Sequence, residues 1–270
     1  MRPPSIWRGR LAHPGVQGAA CVILCLALWE GASAIGWLRP FQFPPPSRIA
    51  AAAWELVVSG FPTGTRIGQH ALVTIQRILT GFALATVVAI PLGLLIGRVA
   101  VLDQLTLPVV TFARSVATLS LLPLALLWFG LGETSKVMLI AYACFWVMLT
   151  NAIAAAKYVD PVLVRAARTM DVGGPALFFR VILPAAVPRL LAGARVAIGV
   201  GFMVIVGAEM IATVAGLGAL IMEARTFYRT DVSIVGMIAL GLLGFAFTAG
   251  LARLERLLLP WHRGLTEVRR

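Results

Sequence analysis

From Lys157 to Arg189 charged residues interrupt a background that is otherwise Ala, Val, Leu and Phe: Lys157, Asp160, Arg165, Arg168, Asp171, Arg180 and Arg189. The chemistry this stretch offers is docking rather than bond making. Asp160 can cap a helix that Pro161 opens, Asp171 to Gly174 supplies residues that tolerate left-handed backbone, and Pro175 can open a second helix. Ala166 and Ala167 leave the centre of the first helix without bulk, so another protein's backbone can approach closely. Phe178 and Phe179 give the second helix large apolar contacts. Two short helices of this kind suit insertion into a partner's groove.

Glu209 and Arg114 are the other chemically pointed positions, because each lies inside an apolar run. A charge at the centre of a bilayer costs about 2.5 to 3.5 kcal/mol on insertion scales, so each must face water or a partner. Two readings follow: both line or gate a solute path, with Ser120 and Pro123 as further pathway candidates, or they satisfy helix ends or each other. Glu30 reads as structural or as a residue of the outer interface, and Arg195 can snorkel from near a helix end. His13, His70 and His262 are scattered, and Cys21, Cys25 and Cys144 lie in apolar segments without a CxxC pair. Neither covalent catalysis nor a metal centre is expected from them. No segment fits the phosphate-cradling G-x-x-x-x-G-K-[ST] pattern, and neither Lys136 nor Lys157 follows a glycine. The chain is therefore expected not to be an enzyme, and any ATP must be handled by another subunit.

The elements that position these residues follow from composition. The chain has 270 residues, 60% hydrophobic and 13% charged, with a mean hydropathy of +0.92. Its apolar residues fall in blocks near the ~20 residues that carry a helix across ~30 Å of hydrocarbon. Six spans are expected: 16–38, 72–96 with Pro91 inside, 105–129, 137–156, 190–214 and 232–252. Phe43-Pro-Pro-Pro46-Ser47 must be a loop, and Arg48 to Val58 is too short and mixed to span, so it should lie along the interface. Gly93 and Gly97, and Gly193, Gly199, Gly201 and Gly207, predict close helix packing.

The net charge of +12 points to membrane anchoring rather than to nucleic acid, because the basic residues sit between apolar blocks instead of on a polar face. Arg2, Arg8, Arg10, Arg98, the 157–189 region and the C-terminal arginines fall on one side of the six-span layout, which the positive-inside rule makes cytoplasmic. Both termini are then cytoplasmic. The expected organisation is a cytoplasmic segment 1–15, a first helix with an interfacial segment over 16–64, a transmembrane core over 65–256 containing the loop 157–188, and a basic tail over 257–270.

The loop resembles the coupling loop of type I ATP-binding-cassette importer permeases, whose pattern is E-A-A, a Gly four residues after the second Ala, and a closing L-P. Ala166 and Ala167 match the paired alanines, Arg168, Thr169 and Met170 the residues that follow, and Leu183-Pro184 the ending. Arg165 stands where that family has Glu, and Asp171 where it has the turn Gly. The resemblance extends from about Pro44 to Arg256. Within it, Phe43-Pro44-Pro-Pro46-Ser47, Arg77-Ile-Leu-Thr-Gly81-Phe82, Ile90-Pro91-Leu-Gly93, Leu126-Leu-Trp128-Phe129-Gly130-Leu-Gly132, Gly216-Leu-Gly218 and Arg229-Thr-Asp231 look like the nitrate, sulfonate and taurine permeases. Arg114-Ser-Val-Ala-Thr118 lacks the prolines that usually follow that arginine there.

The resemblance implies an all-α polytopic permease of a bacterial inner membrane that pairs with a second copy of itself or a close relative and has no nucleic-acid partner. It would bind two ATPase subunits that carry ATP and magnesium, and take its solute from a periplasmic binding protein. Asp160, Arg165, Ala166, Ala167, Arg168, Thr169, Asp171, Gly173, Leu183 and Pro184 would form the docking loop. The rival class, an ion-coupled secondary carrier, would have to rely on Glu209.

Overall fold

The structure, a computed structural model, describes residues 14–61, 64–211 and 213–259. Every regular element among them is helical: α1 (Pro14–Ala34), α2 (Pro46–Val58), α3 (Ile67–Arg98), α4 (Ala100–Ser115), a 3-10 turn (Thr118–Leu121), α5 (Leu122–Phe129), α6 (Glu133–Lys157), α7 (Pro161–Thr169), α8 (Gly174–Leu177), a π turn (Phe178–Ile182), α9 (Leu183–Met210), α10 (Leu217–Thr226) and α11 (Thr230–Leu258). In hydrocarbon a helix satisfies its own backbone groups, which is why apolar blocks of this length take no other form. Four helical runs are long and apolar enough to cross a membrane: α3, α6, Gly174–Met210 and α11. The α4 and α5 region makes a fifth if its two arms, bent by 82°, are one span, and α1 carries a shorter apolar stretch, Ala20–Ala34. Of the expected terminal segments 1–15 and 257–270, residues 1–13 and 260–270, with Arg2, Arg8, Arg10, Arg263, Arg269 and Arg270, lie outside the described residues.

Three boundaries differ from expectation. Pro91 does not interrupt α3, which is 32 residues long. The segment 105–129 is not one straight helix but breaks at Val116 and Ala117, both extended. The second short helix of the loop does not stand apart from the fifth span: Gly174–Met210 is a single helical run of 37 residues. A proline ring clashes with the carbonyl four residues earlier, and the π turn over Phe178–Ile182 widens the helix where Pro184 would meet Arg180.

The described residues form two compact units, those within 68–219 and 238–259, and those within 14–67 and 220–237. In the larger unit, α3, α6 and α9 share a core of Ile78, Ala85, Ala89, Ile96, Ile140, Cys144, Met148, Leu149, Ala197, Ile198 and Ile205. Small residues set the helix spacing. A Cβ on Gly93 would lie 2.5 Å from the Ala152 Cβ and 2.9 Å from the Leu149 carbonyl oxygen, and one on Gly193 would lie 2.5 Å from the Asn151 Cβ. Without a hydrophobic force between helices in lipid, this close packing is the main source of association. Arg195 pairs with Glu255 at 3.0 Å, joining α9 to α11 inside the same unit.

The smaller unit is tied by polar contacts. Ser47, at the start of α2, donates through its backbone N–H (3.1 Å) and hydroxyl (2.7 Å) to Glu30 of α1, which gives that glutamate the structural role expected of it. Helix α2 buries Ile49, Ala52 and Leu56 on one face and leaves Trp54 exposed, the pattern of an interfacial helix. Arg229 bridges Glu55 (2.8 Å) and Asp231 (3.0 Å), and these two carboxylates push its guanidinium further above the ordinary arginine range. Thr230 donates to the Phe41 carbonyl oxygen at 2.7 Å. The motif Arg229-Thr-Asp231 thus holds the start of α11 to the segment between α1 and α2.

Replacement of Gly93 by Val should destabilise the detergent-solubilised protein by about 1 to 3 kcal/mol through overpacking against α6. Thermal unfolding followed by circular dichroism measures this, and Gly132→Ala, where a Cβ meets open space, serves as the neutral control.

Candidate functional site

The docking loop takes its shape from its two ends. Asp160 caps α7 by accepting from the Val162 N–H at 2.8 Å, and Pro161 occupies the first turn, where no N–H is needed. At the far end, the Val172 N–H reaches the Ala167 carbonyl oxygen (3.0 Å) and the Asp171 N–H reaches that of Arg168 (3.1 Å), while Asp171 adopts a φ of +59°. This is a Schellman closure with an aspartate in the left-handed position, where glycine is less strained.

The paired alanines have opposite roles. Ala167 is buried with Val159, Leu177 and Ile182, whereas Ala166 is exposed. One alanine lets α7 sit close to its own helical bundle, and the other leaves a shallow outer face. That face includes exposed Val162, Leu163, Arg165 and Arg168, with Met170 exposed just past the helix. Thr169 donates to the Ala166 carbonyl oxygen at 2.7 Å, Gly173 and Pro184 are exposed, and Leu183 is half-buried beside Ala152 and Leu190. Lys157 at the end of α6 pairs with Asp103 near the start of α4 at 2.5 Å, so these elements and the loop share one end of the unit.

At the opposite end, α3 and α6 begin and α9 terminates, and there the charged groups converge. Glu209 is 1% exposed. Its carboxylate accepts from Arg77 Nη1 (2.7 Å), Thr74 Oγ1 (2.9 Å) and the Gly218 N–H (2.9 Å). Arg77 is itself divided between two carboxylates, with a bidentate pair to Glu133 at 2.5 and 2.6 Å, and it also donates to the Ala215 carbonyl oxygen at 2.7 Å. Lys136 lies 3.6 Å from Glu133, which brings the two acids and two bases to zero formal charge. The Arg77, Lys136 and Glu209 side chains are buried and need counter-charges, which Glu133, its side chain 63% exposed, helps to supply from the surface.

Glycine explains how the backbone gets close enough. A Cβ on Gly216, whose φ is +130°, would fall 2.5 Å from the Glu209 carboxyl carbon, and one on Gly218 would fall 2.7 Å from the Glu209 Cβ. The Leu217 N–H between them donates to Thr74 Oγ1 at 2.9 Å. His70 closes the set with Nδ1 3.0 Å from the Gly216 carbonyl oxygen. The motifs around Arg77 and Gly216-Leu-Gly218 are therefore two halves of one cluster.

Of the four pathway candidates, Glu209 is enclosed in this cluster and pairs with Arg77, not with Arg114. Arg114, Ser120 and Pro123 are exposed and lie at or near the break between α4 and α5. The cluster's other members, Thr74, Arg77, Glu133, Lys136 and His70, were not singled out as site residues by sequence reasoning. The signal for Arg77 was present, since it sits five residues inside the span expected to begin at Leu72. Glu133 was read only as part of a polar turn, and nothing local marks its reach back to α3.

With this geometry in hand, the chain can be compared with known proteins. Residues 89–263 match the model of the binding-protein-dependent transport system inner membrane component family. The chain belongs to this family. It is 32% identical to the taurine transport system permease protein TauC of Escherichia coli (strain K12), over 95% of this chain and 93% of that protein. It is 35% identical to the putative aliphatic sulfonates transport permease protein SsuC of the same organism, over 88% of each. A putative ABC transporter permease protein of Methanocaldococcus jannaschii is 38% identical over 74% of this chain and 75% of its own length. The chain is thus the permease subunit of an ABC importer, a multi-pass inner-membrane protein that works with an ATPase and a binding protein. Membership of this family does not favour the ion-coupled carrier.

Removing Arg77 leaves a buried carboxylate without its counter-charge, a change that typically costs about 3 to 5 kcal/mol, whereas Glu209→Gln removes a charge whose partner keeps Glu133. Arg77→Met should therefore lower the unfolding temperature of the purified permease clearly more than Glu209→Gln. Parallel thermal melts of the two variants check this.

Proposed function

We propose that the chain moves a small anionic solute, of the organic sulfonate, taurine or nitrate type, through a path completed by a second copy of itself. Similarity to the taurine permease TauC and the putative aliphatic sulfonates permease SsuC supports the solute class. Two ATPase subunits, carrying ATP and magnesium, dock at α7 around Ala166, and a periplasmic binding protein delivers the solute at the opposite end. The chain contributes no ATP chemistry of its own, and both termini are cytoplasmic. Asp160 and Asp171 hold the loop's shape, Gly173, Leu183 and Pro184 join it to α9, and Arg165, Arg168 and Thr169 flank the docking face. Arg114, Ser120 and Pro123 belong to the solute path, while Glu209 fixes the end of α9.

The observation that carries this reading is the division of labour between the alanines. A helix whose outward face is emptied of bulk at Ala166, while Ala167 secures it inward, is shaped for a partner's groove. Behind it, the run from Gly174 to Met210 extends about 55 Å at 1.5 Å per residue, reaching the buried cluster at the other end. Movement of the loop by a closing ATPase is thereby delivered along one stiff element, the kind of rigid-body coupling that alternating access needs.

The two alanines separate docking from folding. Ala166→Trp should leave the melting temperature of the isolated permease within ~2 °C of the parent, as surface substitutions usually do, and abolish co-purification of the ATPase subunits. Ala167→Trp should instead destabilise the permease itself, by about 1 to 3 kcal/mol through overpacking. Retention of the ATPase by the Ala166 variant would refute the docking assignment.

A further inference from the structure

Arg114 is a charge to which no acid among the described residues of the larger unit is paired. It lies in the last turn of α4, about 21 Å along that helix at 1.5 Å per residue, and is exposed, with neither an ion pair nor a hydrogen bond among the described residues. Immediately after it the chain leaves helical geometry at Val116 and Ala117 and turns through 82° into the next arm. Helix-free backbone at membrane depth persists only where it is buried in protein or borders water, and a guanidinium cannot shed its charge.

The surroundings of this apex do not neutralise it. Towards the bundle, Val116 and Leu121 line a cavity of about 610 Å³ whose other walls include Leu84, Trp128, Tyr142 and Phe145 and carry no carboxylate. The one acid of α4, Asp103, is engaged by Lys157 at the loop end. Tyr142 donates to the Ala113 carbonyl oxygen at 3.2 Å, and the Ser115 and Ser120 hydroxyls donate back to Thr111 and Ala117, at 2.9 and 2.7 Å. The apex therefore presents one uncompensated positive charge, in a fork geometry suited to two oxygens of an oxyanion.

We propose that the apex between α4 and α5 borders the aqueous solute path and that Arg114 is its specificity-determining residue, drawing in an oxyanion such as a sulfonate. This rests on the importer reading and names the residue that selects the sign of the solute. A low-dielectric wall beside it focuses its field into the adjoining water.

The test places a cysteine at Ser120 in a chain whose Cys21, Cys25 and Cys144 are replaced by Ala, assembled with its ATPase and binding protein. Thiol reagents of equal size and opposite charge, sulfonatoethyl and trimethylammonioethyl methanethiosulfonate, report the local field. Allowing for their intrinsic reactivities, the anionic reagent should be favoured by about tenfold, and Arg114→Gln should remove the preference while Arg114→Lys keeps it. An arm that leaves Arg114 in place uses salt: at 1 M, where the screening length is about 3 Å, the preference should largely disappear. Failure of both reagents to react, or a preference unchanged by Arg114→Gln and by salt, overturns the proposal.

A second arm follows ethanesulfonate uptake into proteoliposomes. Arg114→Gln should reduce ethanesulfonate moved per ATP hydrolysed by about fivefold or more, with Lys restoring most of it, as expected for loss of a charge-assisted contact. Equal loss in the Gln and Lys variants with an unchanged reagent preference would mark Arg114 as merely structural and overturn its selective role. Absence of ATP-driven ethanesulfonate uptake in the parent complex would instead count against the assigned solute class, while the labelling ratio still decides the field at Arg114.

Discussion

An ion in hydrocarbon must be neutralised where it stands, and the Arg77–Glu209 pair shows what that requirement builds. Satisfying one carboxylate at the end of α9 draws in Arg77 and Thr74 of α3, Glu133 and Lys136 of α6, and the backbone of Gly218. Three helices that would otherwise be held by small-residue packing alone acquire a common fixed end. The Gly218 N–H reaches the carboxylate at 2.9 Å because two glycines let the chain fold over it where a Cβ would collide.

That fixed end gives the loop at the other end something to act against. Helix α9 and the short helix before it form one run, widened by a π turn where a proline follows, so the residues after the docking helix and the buried cluster belong to a single rod. Coupling in such an arrangement needs no chain of side-chain rearrangements. It needs a stiff element, a seat for the motor at one end and an anchor at the other. On the proposed reading α7 provides the seat, with Ala166 facing out and Ala167 facing in.

Much of this was legible in the residues. Hydrophobic blocks gave the helices, Asp160-Pro161 gave the start of the docking helix, and the spacing from Ala166 to Pro184 gave the family that the match over residues 89–263 establishes. What was not legible lay in long-range geometry. Pro91 read as an interruption of the second span, yet α3 runs through it, and the second helix of the loop read as separate from the fifth span, yet a π turn carries the helix on past Pro184. Glu209 read as a charge that must face either water or a partner, and which of the two was not legible because the partner, Arg77, is 132 residues away and brought near only by folding. Gly216 and Gly218 read as motif residues, and their reason is the carboxylate they cover.

The claim on which the rest hangs is that the docking helix faces the compartment where ATP is hydrolysed. Met170 is 79% exposed at the tip of that helix, so a cysteine in its place is reachable by any reagent on the same side of the membrane. With the three native cysteines replaced, a membrane-impermeant maleimide should leave Met170→Cys unmodified in intact spheroplasts, modify it in inverted vesicles stripped of ATPase, and be blocked again when the ATPase is restored. Modification from the outside of intact spheroplasts would contradict the account.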